Sequence, residues 1–375
     1  MQNELFAFRE PPVNGRRIRQ ARELAGLTQA TLAELLGTDQ TLIAHIERGS
    51  RQPAADLLEA IGTELHFPPS FFRQGSSPEF PKGSLLFRSK AVVGRKLIGQ
   101  VHAHAEIVFE MVVKLASQAS LVPLRLPNEH DPIQAAQRVR SLLRIPDGPL
   151  PNLIRTIEQL GVIIVPIPQL KDLDAFAVWA GPERSYAVIG MVVEKAFDRT
   201  RMNLAHELGH LILHRDIAGA SQQLESDAYQ FAVELLTPAH SIAVDLQSER
   251  LNLFRLASLK RRWNVSMQAI ARRARDLQFI TDRQYRYLMQ QISMKGWRIS
   301  EPEFGPLQVE RPRAIRKLVE VTFGPNLNSE TIAKEFRLST TFITSLLEMC
   351  STAPGTQAER KARRGKSVIS ISRRN

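Results

Sequence analysis

Short amphipathic helices separated by glycines form the pattern of the amino-terminal part of the chain. Between Asn14 and Phe72, each helix-length segment is closed by a glycine, as helix C-termini commonly are. These glycines are Gly26, Gly37, Gly49 and Gly62. The pattern predicts a small all-helical unit, followed by a long helix over Leu85–Gln118 and a shorter one over Pro132–Ile145.

After Pro146–Pro151 (PDGPLP) the pattern changes from helical to mixed. Apolar runs of strand length now alternate with helical segments. The predicted strands are Val162–Ile167, Phe176–Ala180 and Tyr186–Met191, and the predicted helices are Asn152–Leu160, Arg199–His214, Glu225–Leu236 and Leu251–Arg262. This mixture predicts an α+β unit with a small sheet.

Segments rich in Gly, Ser and Pro mark the boundaries between these units. Gly75–Ser84 (GSSPEFPKGS) is the strongest boundary and PDGPLP the second, and from Trp297 the pattern is looser. We therefore predict an all-α domain at 14–74, a linker and helical connector at 75–145, the α+β domain at 146–295, and a helical C-terminal region with a basic tail at 296–375.

Composition narrows the class of protein. The 375 residues are 43% hydrophobic and 23% charged, as in ordinary globular proteins, and no apolar run approaches a membrane span. The start, MQNELFAFREPP, lacks the basic and apolar regions of a secretory signal, so none is expected. A single cysteine, Cys350, excludes an internal disulfide framework. We expect a cytoplasmic protein with no membrane partner.

The net charge of +12 points to polyanionic partners, but half of it lies in one short segment. Glu359–Asn375 carries seven Arg or Lys residues against one acid. Such a tail is more typical of a solvated end than of a specific binder, although it would add non-specific affinity for DNA.

Residues 26–53 (GLTQATLAELLGTDQTLIAHIERGSRQP) predict two helices joined by a tight turn at Gly37. Thr28 and Asp39 are placed to cap the first and second helix. The positions expected to face the core are Leu32, Leu35 and Leu36 on the first helix, and Ile43 and Ile46 on the second.

This arrangement leaves four side chains of the second helix outward: Gln40, Thr41, Ala44 and His45. Such positions can enter the major groove of double-stranded DNA, where Gln40 would pair with adenine and Thr41 would meet a base edge or a phosphate. A basic cluster on the preceding helix is placed to touch phosphates, and comprises Arg16, Arg17, Arg19 and Arg22. The alternative is a small helical bundle used for dimerisation.

The segment resembles the helix-turn-helix of the phage-repressor-like XRE family over Asn14–Phe72. The likeness rests on LTQ at Leu27–Gln29, LA at Leu32–Ala33 and IERGSRQP at Ile46–Pro53. It implies an operator-binding domain in which four side chains lie near DNA: Gln29, Gln40, Thr41 and His45. Repressors of this type read paired half-sites, so the resemblance also implies a homodimer.

The sharpest chemical motif is HELGH, at His206–His210. Residues four apart lie on one helix face, so His206 and His210 can hold one metal ion, with Glu207 beside them to take a proton from water. Zinc suits these ligands, because it lowers the pKa of a bound water to about 7 and polarises a carbonyl.

A catalytic zinc needs a third protein ligand. Glu225 begins a helix that would lie antiparallel to the first, and we favour it. Asp227, the competing carboxylate, lies on a different face of that helix.

MNLAHELGHLILH followed by LESDAYQFAVELLTP resembles the ImmA/IrrE family of HExxH metallopeptidases. The matching positions of the second segment are Glu225, Ala228, Phe231, Ala232, Leu235, Leu236 and Pro238. The resemblance implies a zincin-like α+β domain with zinc on His206, His210 and Glu225, and Glu207 as general base. Tyr229 departs from the family, which has Asn or Asp there. A pseudo-enzyme, with the helix but no chemistry, remains an alternative.

Other histidines are assigned differently. His214, one turn beyond His210, is a fourth ligand, a supporting group or, the interpretation we favour, a partly buried residue at the helix end. His102 and His104 lie two apart on a predicted helix, so they face apart and are expected on the surface. His240 has no assigned role.

Two further segments follow the motif. Leu256–Ile280 resembles the helical segment after the peptidase core of this family. We expect its basic side chains to contact water or a protein substrate rather than DNA. These side chains are Lys260, Arg261, Arg262, Arg272, Arg273 and Arg275. Ser329–Glu348 predicts two helices with a turn, and here helical packing is preferred to a second DNA reader.

Together the two resemblances imply a multidomain regulator that joins an all-α repressor-like domain to a zinc endopeptidase. Relatives of this peptidase cut XRE-type repressors under stress. Hence we expect operator DNA and a protein substrate, a repressor or another copy of the chain, as partners in a stress or prophage response. The alternatives are a non-catalytic transcription factor whose zinc domain senses a ligand or stabilises the fold, and an antitoxin-type regulator.

Overall fold

The computed structural model describes residues 10–75, 78–81, 94–168, 175–193, 197–215, 221–302 and 310–351. The basic tail and residues 85–93 of the predicted long helix lie outside the described residues.

The amino-terminal unit is helical, as predicted. Its helices are α1 (Gly15–Leu24), α2 (Gln29–Leu35), α3 (Gln40–Glu47) and α4 (Ala55–Leu65), followed by a 3-10 turn at Pro69–Phe71. The Thr28 side chain accepts the Thr31 amide and caps α2, whereas Asp39 precedes α3 without a side-chain capping bond. The expectation that Leu35 faces inward is wrong: it is 51% exposed, because α2 packs through Leu32 and Ala33 and ends at Leu35.

Helix α5 (Arg95–Ala116) is a packed element at the centre of the chain. It contacts α1 and the first strand of the sheet, and its residues 101–109 are buried on every side. The prediction that His102 and His104 lie on the surface is therefore wrong. They are 3% and 5% exposed, and each imidazole Nε2 lies 3.0 Å from a backbone carbonyl oxygen, of Phe80 and Pro166 respectively.

Helices α6 (Pro132–Leu142) and α7 (Leu153–Gln159) are followed along the chain by a three-stranded sheet. The strands are β1 (Ile163–Ile167), β2 (Ala175–Ala180) and β3 (Tyr186–Val192), in the order β1-β3-β2. β1 is parallel to β3 and β2 is antiparallel to it. Gly190 faces Phe176 across the ladder, and a Cβ at Gly190 would lie 2.0 Å from the Phe176 ring, so the ring requires glycine there.

Helix α8 (Phe197–Leu213) packs on β2 and β3, and α9 (Gln222–Leu236) packs on both α8 and α6. The chain continues through α10 (Ala239–Gln247), α11 (Leu253–Trp263), α12 (Met267–Asp276) and α13 (Asp282–Met294). The buried Lys260 ammonium joins this group to α8, at 2.6 Å from Asp198 Oδ2 and 2.9 Å from Glu301 Oε2. Burial opposes its charge, but hydrogen bonds to these carboxylates raise the Lys260 pKa.

The C-terminal region comprises α14 (Ala314–Phe323), α15 (Ser329–Phe336) and α16 (Thr340–Met349). Glu158 caps α14, since its Oε1 accepts the Arg313 and Ala314 amides at 2.8 and 2.9 Å. The predicted multidomain fold class is confirmed: an all-α domain, an α+β unit and a helical C-terminal region. Over the part of the chain that the structure describes, no helix is both long and apolar enough to cross a membrane.

Candidate functional site

Helix α8 presents the HELGH motif because its two faces differ. Leu204, Leu208 and Leu211 are at most 2% exposed and form the face that packs inward. His206 and His210, one turn apart, are half-buried and lie toward α9. The amphipathic pattern of the helix thus sets both imidazoles on one side.

The side chains of three candidate ligands converge between α8 and α9. His206 Nε2 lies 3.1 Å from Glu225 Oε2 and 3.2 Å from His210 Nε2, and His210 Nε2 lies 3.4 Å from Glu225 Oε1. Zinc bonds of 2.0–2.2 Å in a tetrahedron space the ligand atoms about 3.3–3.6 Å apart. Two imidazole nitrogens and a carboxylate at these separations fit one zinc ion.

The competing carboxylate is engaged elsewhere. Asp227 Oδ1 accepts a hydrogen bond of 2.8 Å from Gln223 Nε2, one turn back on α9. Within the described ranges, the group of acidic, histidine and cysteine side chains able to hold a metal consists of His206, His210 and Glu225.

His214 contacts the opposite nitrogen of a candidate ligand. Its Nδ1 lies 2.9 Å from His210 Nδ1, and its side chain is half-buried at the end of α8. A hydrogen bond on the nitrogen that does not face the metal fixes the orientation of a ligating imidazole. The geometry thus makes His214 both a helix-end residue and a support for His210.

Glu207 is the buried carboxylate of the motif, at 3% exposure. It follows His206 directly on α8, and its burial shields the carboxylate from bulk water. Glu225, in contrast, is exposed near the start of α9.

The close approach of α8 and α9 depends on Gly209, which the sequence analysis passed over. A Cβ at Gly209 would lie 3.0 Å from Phe231 Cδ1 and 3.1 Å from the Ala228 carbonyl oxygen. Small residues at facing helix positions let backbones approach. The glycine of the motif and the alanine three residues after Glu225 were the signal for this contact.

Tyr229 packs away from the candidate ligands, against α12. The Arg272 guanidinium carbon lies 3.9 Å from the ring centroid, and burial raises the pKa of Tyr229 to about 12. The departure from Asn or Asp therefore places an aromatic residue in the α9–α12 contact.

Helix α3 has the exposure pattern predicted for a DNA reader. Ile43 and Ile46 are 0% and 1% exposed. Gln40, Thr41 and His45 are exposed. His45 Nδ1 lies 2.9 Å from Ser50 Oγ.

Gln29 differs from these three residues. It is half-buried, and its Nε2 donates to Glu47 Oε2 at 2.8 Å, so it contacts the end of α3. This places the Gln29 amide at a carboxylate that also pairs with Arg22.

The basic cluster on α1 is partly structural, since two of its four arginines are buried and cannot reach phosphates. Arg17 and Arg22 are 2% and 7% exposed, because they pair with Glu110 at 2.6 Å and with Glu47 at 2.5 Å. Arg16 and Arg19 have exposed side chains, and they pair with Glu106 and Glu23.

Two of the six basic side chains at α11 and α12 are engaged inside the protein, since Lys260 is buried and Arg273 pairs with the buried Glu234. Arg261, Arg262 and Arg272 are exposed. His240, unassigned from the sequence, has its Nε2 2.9 Å from Asp147 Oδ1 at the surface.

Two segments of the chain match known protein families. Residues 18–72 match the family described as helix-turn-helix (HTH_3), and residues 158–275 match the family described as IrrE N-terminal-like domain (Peptidase_M78). The uncharacterised HTH-type transcriptional regulator YazB of Bacillus subtilis (strain 168) is 42% identical over 57 residues, which are 15% of this chain and 83% of that protein.

A solved structure was also matched, that of Bacillus thuringiensis PlcR in complex with the peptide PapR7 and DNA. It is 13% identical, with 75% of this chain and 92% of that chain covered and a TM-score of 0.15, too low to establish a shared fold. The family matches and YazB carry the conclusion: the chain belongs to the XRE-type helix-turn-helix transcriptional regulators and bears, in the same polypeptide, an IrrE N-terminal-like domain of the Peptidase_M78 family.

Proposed function

We propose that this regulator binds operator DNA through α3 and hydrolyses a peptide bond of a regulatory protein in its IrrE N-terminal-like domain. The substrate is a helix-turn-helix repressor or a second copy of this chain. The observation that carries the proposal is the convergence of His206, His210 and Glu225, with all ligand atoms within 4.8 Å of one another.

The DNA half of the proposal rests on the exposed face of α3. Gln40 offers an amide that can make two hydrogen bonds to adenine, and Thr41 and His45 offer groups for base edges or phosphates. Gln29 acts through Glu47 to fix the end of α3. Repressor-type readers occupy paired half-sites, so the bound form is a homodimer.

Members of the Peptidase_M78 family are typically metal-dependent, and the donor set here suits zinc. When bound, zinc would polarise the scissile carbonyl and make water more acidic. His206, His210 and Glu225 would hold the ion, and His214 would keep the His210 ring in place.

Glu207 carries the proton in this mechanism. Its carboxylate takes a proton from the attacking water and passes it to the nitrogen of the leaving amine. Because Glu207 is buried, the proton is exchanged out of contact with bulk solvent.

The test separates metal binding from hydrolysis. Chain purified without added metal is measured for zinc content and then incubated with two probes, a mixed peptide library and a tagged Glu207→Gln copy of itself, with cleavage read by mass spectrometry. We expect about one zinc per chain, lost in the His206→Ala/His210→Ala variant.

Glu207→Gln should retain the zinc and DNA binding but lose cleavage by at least about 100-fold, the lower end of what general-base catalysis contributes. Glu249→Gln, at a largely exposed glutamate, is the matched control and should cleave normally. Zinc bound without cleavage of either probe by the unaltered chain would favour the non-catalytic regulator. Cleavage that survives in Glu207→Gln would show that another residue is the base.

A further inference from the structure

The helix pair α15–α16 repeats the local geometry of the reader α2–α3, three hundred positions further along the chain. Both turns pass through a left-handed residue, Gly37 with φ +60° and Arg337 with φ +56°. In each, the next residue closes the same bond at 2.9 Å, from the Thr38 amide to Ala33 O and from the Leu338 amide to Ala333 O.

The buried positions of the two pairs also correspond one to one. In α2–α3, Leu32, Ala33, Ile43 and Ile46 are at most 3% exposed. Their counterparts Ile332, Ala333, Ile343 and Leu346 are at most 4% exposed. Ser339 stands where Asp39 does, and its side chain accepts the Phe342 amide, so α16 has the capping bond that α3 lacks.

The outward positions of α16 are open. Thr340, Thr341 and Ser345, which correspond to Gln40, Thr41 and His45, are exposed. Lys334 and Arg337, exposed at the turn, supply positive charge next to this face.

A third turn of the same form shows that the shape alone does not make a reader. Between α11 and α12, Asn264 is left-handed with φ +55° and Ser266 caps α12. There the first two outward positions are covered, although the third, Arg272, is exposed. Met267 is 0% exposed, and the backbone N–H of the half-buried Gln268 donates to Glu301 Oε1 at 3.1 Å. The corresponding residues of α16, Thr340 and Thr341, are exposed.

The second pair is attached directly to the first domain. Gln74 Nε2 donates to Phe336 O at 3.2 Å, and Lys114 Nζ on α5 lies 3.0 Å from Glu335 Oε1. The two helix pairs are therefore held on one part of the molecule, close to the same connector helix.

We propose that α15–α16 is a second helix-turn-helix that reads double-stranded DNA through Thr340, Thr341 and Ser345. Threonine offers a hydroxyl for base edges and phosphates and a methyl group for the thymine methyl, and serine offers a hydroxyl. One chain then reads two segments of an operator, which replaces the helical-packing role expected for this pair. The inference concerns a face separate from α3 and from the metal centre.

The chain has one cysteine, and this makes the test specific. Cys350 is 1% exposed, and burial raises its pKa to about 12, so it reacts slowly with thiol reagents. A Thr341→Cys variant of the full chain therefore carries one reactive thiol, to which an iron chelate that cleaves nearby DNA is attached. Matched variants are Thr41→Cys on α3 and Gln290→Cys on the exposed face of α13.

The probe is duplex selected by the unaltered chain from a random pool of about 40 base pairs, roughly four helical turns. We expect Thr341→Cys to cut the duplex at a position distinct from the Thr41→Cys cuts, and Gln290→Cys to leave no localised cuts. Thr341→Glu, without the chelate, should weaken binding roughly tenfold or more and relax selection in the segment that Thr341→Cys cuts.

Two results would overturn the inference. In one, Thr41→Cys cuts the duplex but Thr341→Cys cuts no more than Gln290→Cys, and α3 is the sole reader. In the other, the unaltered chain selects no duplex, which would also remove the DNA-binding half of the proposed function. Unchanged circular dichroism of each variant guards against misfolding as the cause.

Discussion

Buried ion pairs hold the helices of the amino-terminal domain together and attach the domain to α5. Arg22 and Glu47 have side chains only 9% and 2% exposed and pair at 2.5 Å, while Arg17 reaches Glu110 on α5. A charge out of water is tolerated when an opposite charge and further hydrogen bonds compensate it. These arginines fix how α1 sits on α3 and α5, so they are not available to a phosphate backbone.

His104 is the residue whose titration should affect stability most clearly. Burial in α5 lowers its pKa from 6.5 to about 4, and its Nε2–H donates to Pro166 O, which opposes the shift only in part. As the pH falls, His104 therefore takes up a proton near pH 6.5 in the unfolded chain but only near pH 4 in the folded chain. Stability from this group is complete above pH 6.5 and declines as the pH falls toward 4.

We predict that the titration of His104 lowers the free energy of unfolding by about 2 kcal/mol when the pH falls from 7.5 to 5. His104→Gln keeps a donor for Pro166 O but cannot titrate, so its loss over the same range should be smaller by that amount. Urea unfolding at both pH values measures the difference. Identical pH dependence of the two proteins would mean that His104 is hydrated in the folded state.

At the scale of elements, the distance between α8 and α9 decides whether the three ligand atoms meet. Glu225 is on a different helix from the histidines, and the axes approach through Gly209 and Ala228. Any side chain at position 209 must displace the backbone of Ala228 or the ring of Phe231.

Gly209→Ala is therefore expected to weaken zinc affinity by roughly tenfold, as changes next to metal ligands commonly do. Fold stability should change little, because the higher helix propensity of alanine, about 1 kcal/mol, offsets part of the packing strain. Competition with a chromophoric chelator measures the affinity, and thermal unfolding measures the stability.

The matched control is Gly99→Ala on α5. Its added Cβ would lie 3.6 Å from the nearest atoms of Glu23, an ordinary contact, so it should stabilise the fold by about 0.5–1 kcal/mol and leave zinc affinity unchanged. If Gly209→Ala bound zinc as tightly as the unaltered chain does, the close contact of α8 and α9 at Gly209 would not be required for the ligand geometry.

Across the whole molecule, the C-terminal region is joined to the IrrE N-terminal-like domain by buried polar contacts. Glu310 accepts hydrogen bonds from Arg201 on α8 and from the Ile154 amide of α7. Arg201 is 1% exposed and also donates to Leu150 O at 2.7 Å. The start of the helix that carries His206 and His210 is thus connected to the segment leading into α14.

Glu310→Ala should lower the free energy of unfolding by about 3 kcal/mol, since it leaves the buried Arg201 guanidinium without its carboxylate. Amide hydrogen exchange should increase in α14 and in α7, and much less in α1–α4. The control Glu320→Ala breaks a half-exposed pair with Arg316 within α14 and should cost less than about 0.5 kcal/mol. Equal effects of the two variants would argue against this junction.

Much of this organisation is visible in the amino-acid sequence. The strands lie within one residue of their predicted bounds, and α2, α3, α8 and α9 occupy the predicted segments, because hydrophobic period and capping residues act over one or two turns of chain. The spacing of His206 and His210 likewise requires only a helix. These features are local, and the sequence alone determined them.

Tertiary structure decided which polar groups are buried and which faces remain open. Arg17, His102 and His104 look like surface residues until α5 is placed against α1 and β1. Arg22 looks like one until α3 brings Glu47 to it. Similarly, α12 and α16 follow turns of the same form. Glu301 contacts the start of α12, whereas the start of α16 is exposed. Burial depends on elements distant in sequence, and no local period records where they pack.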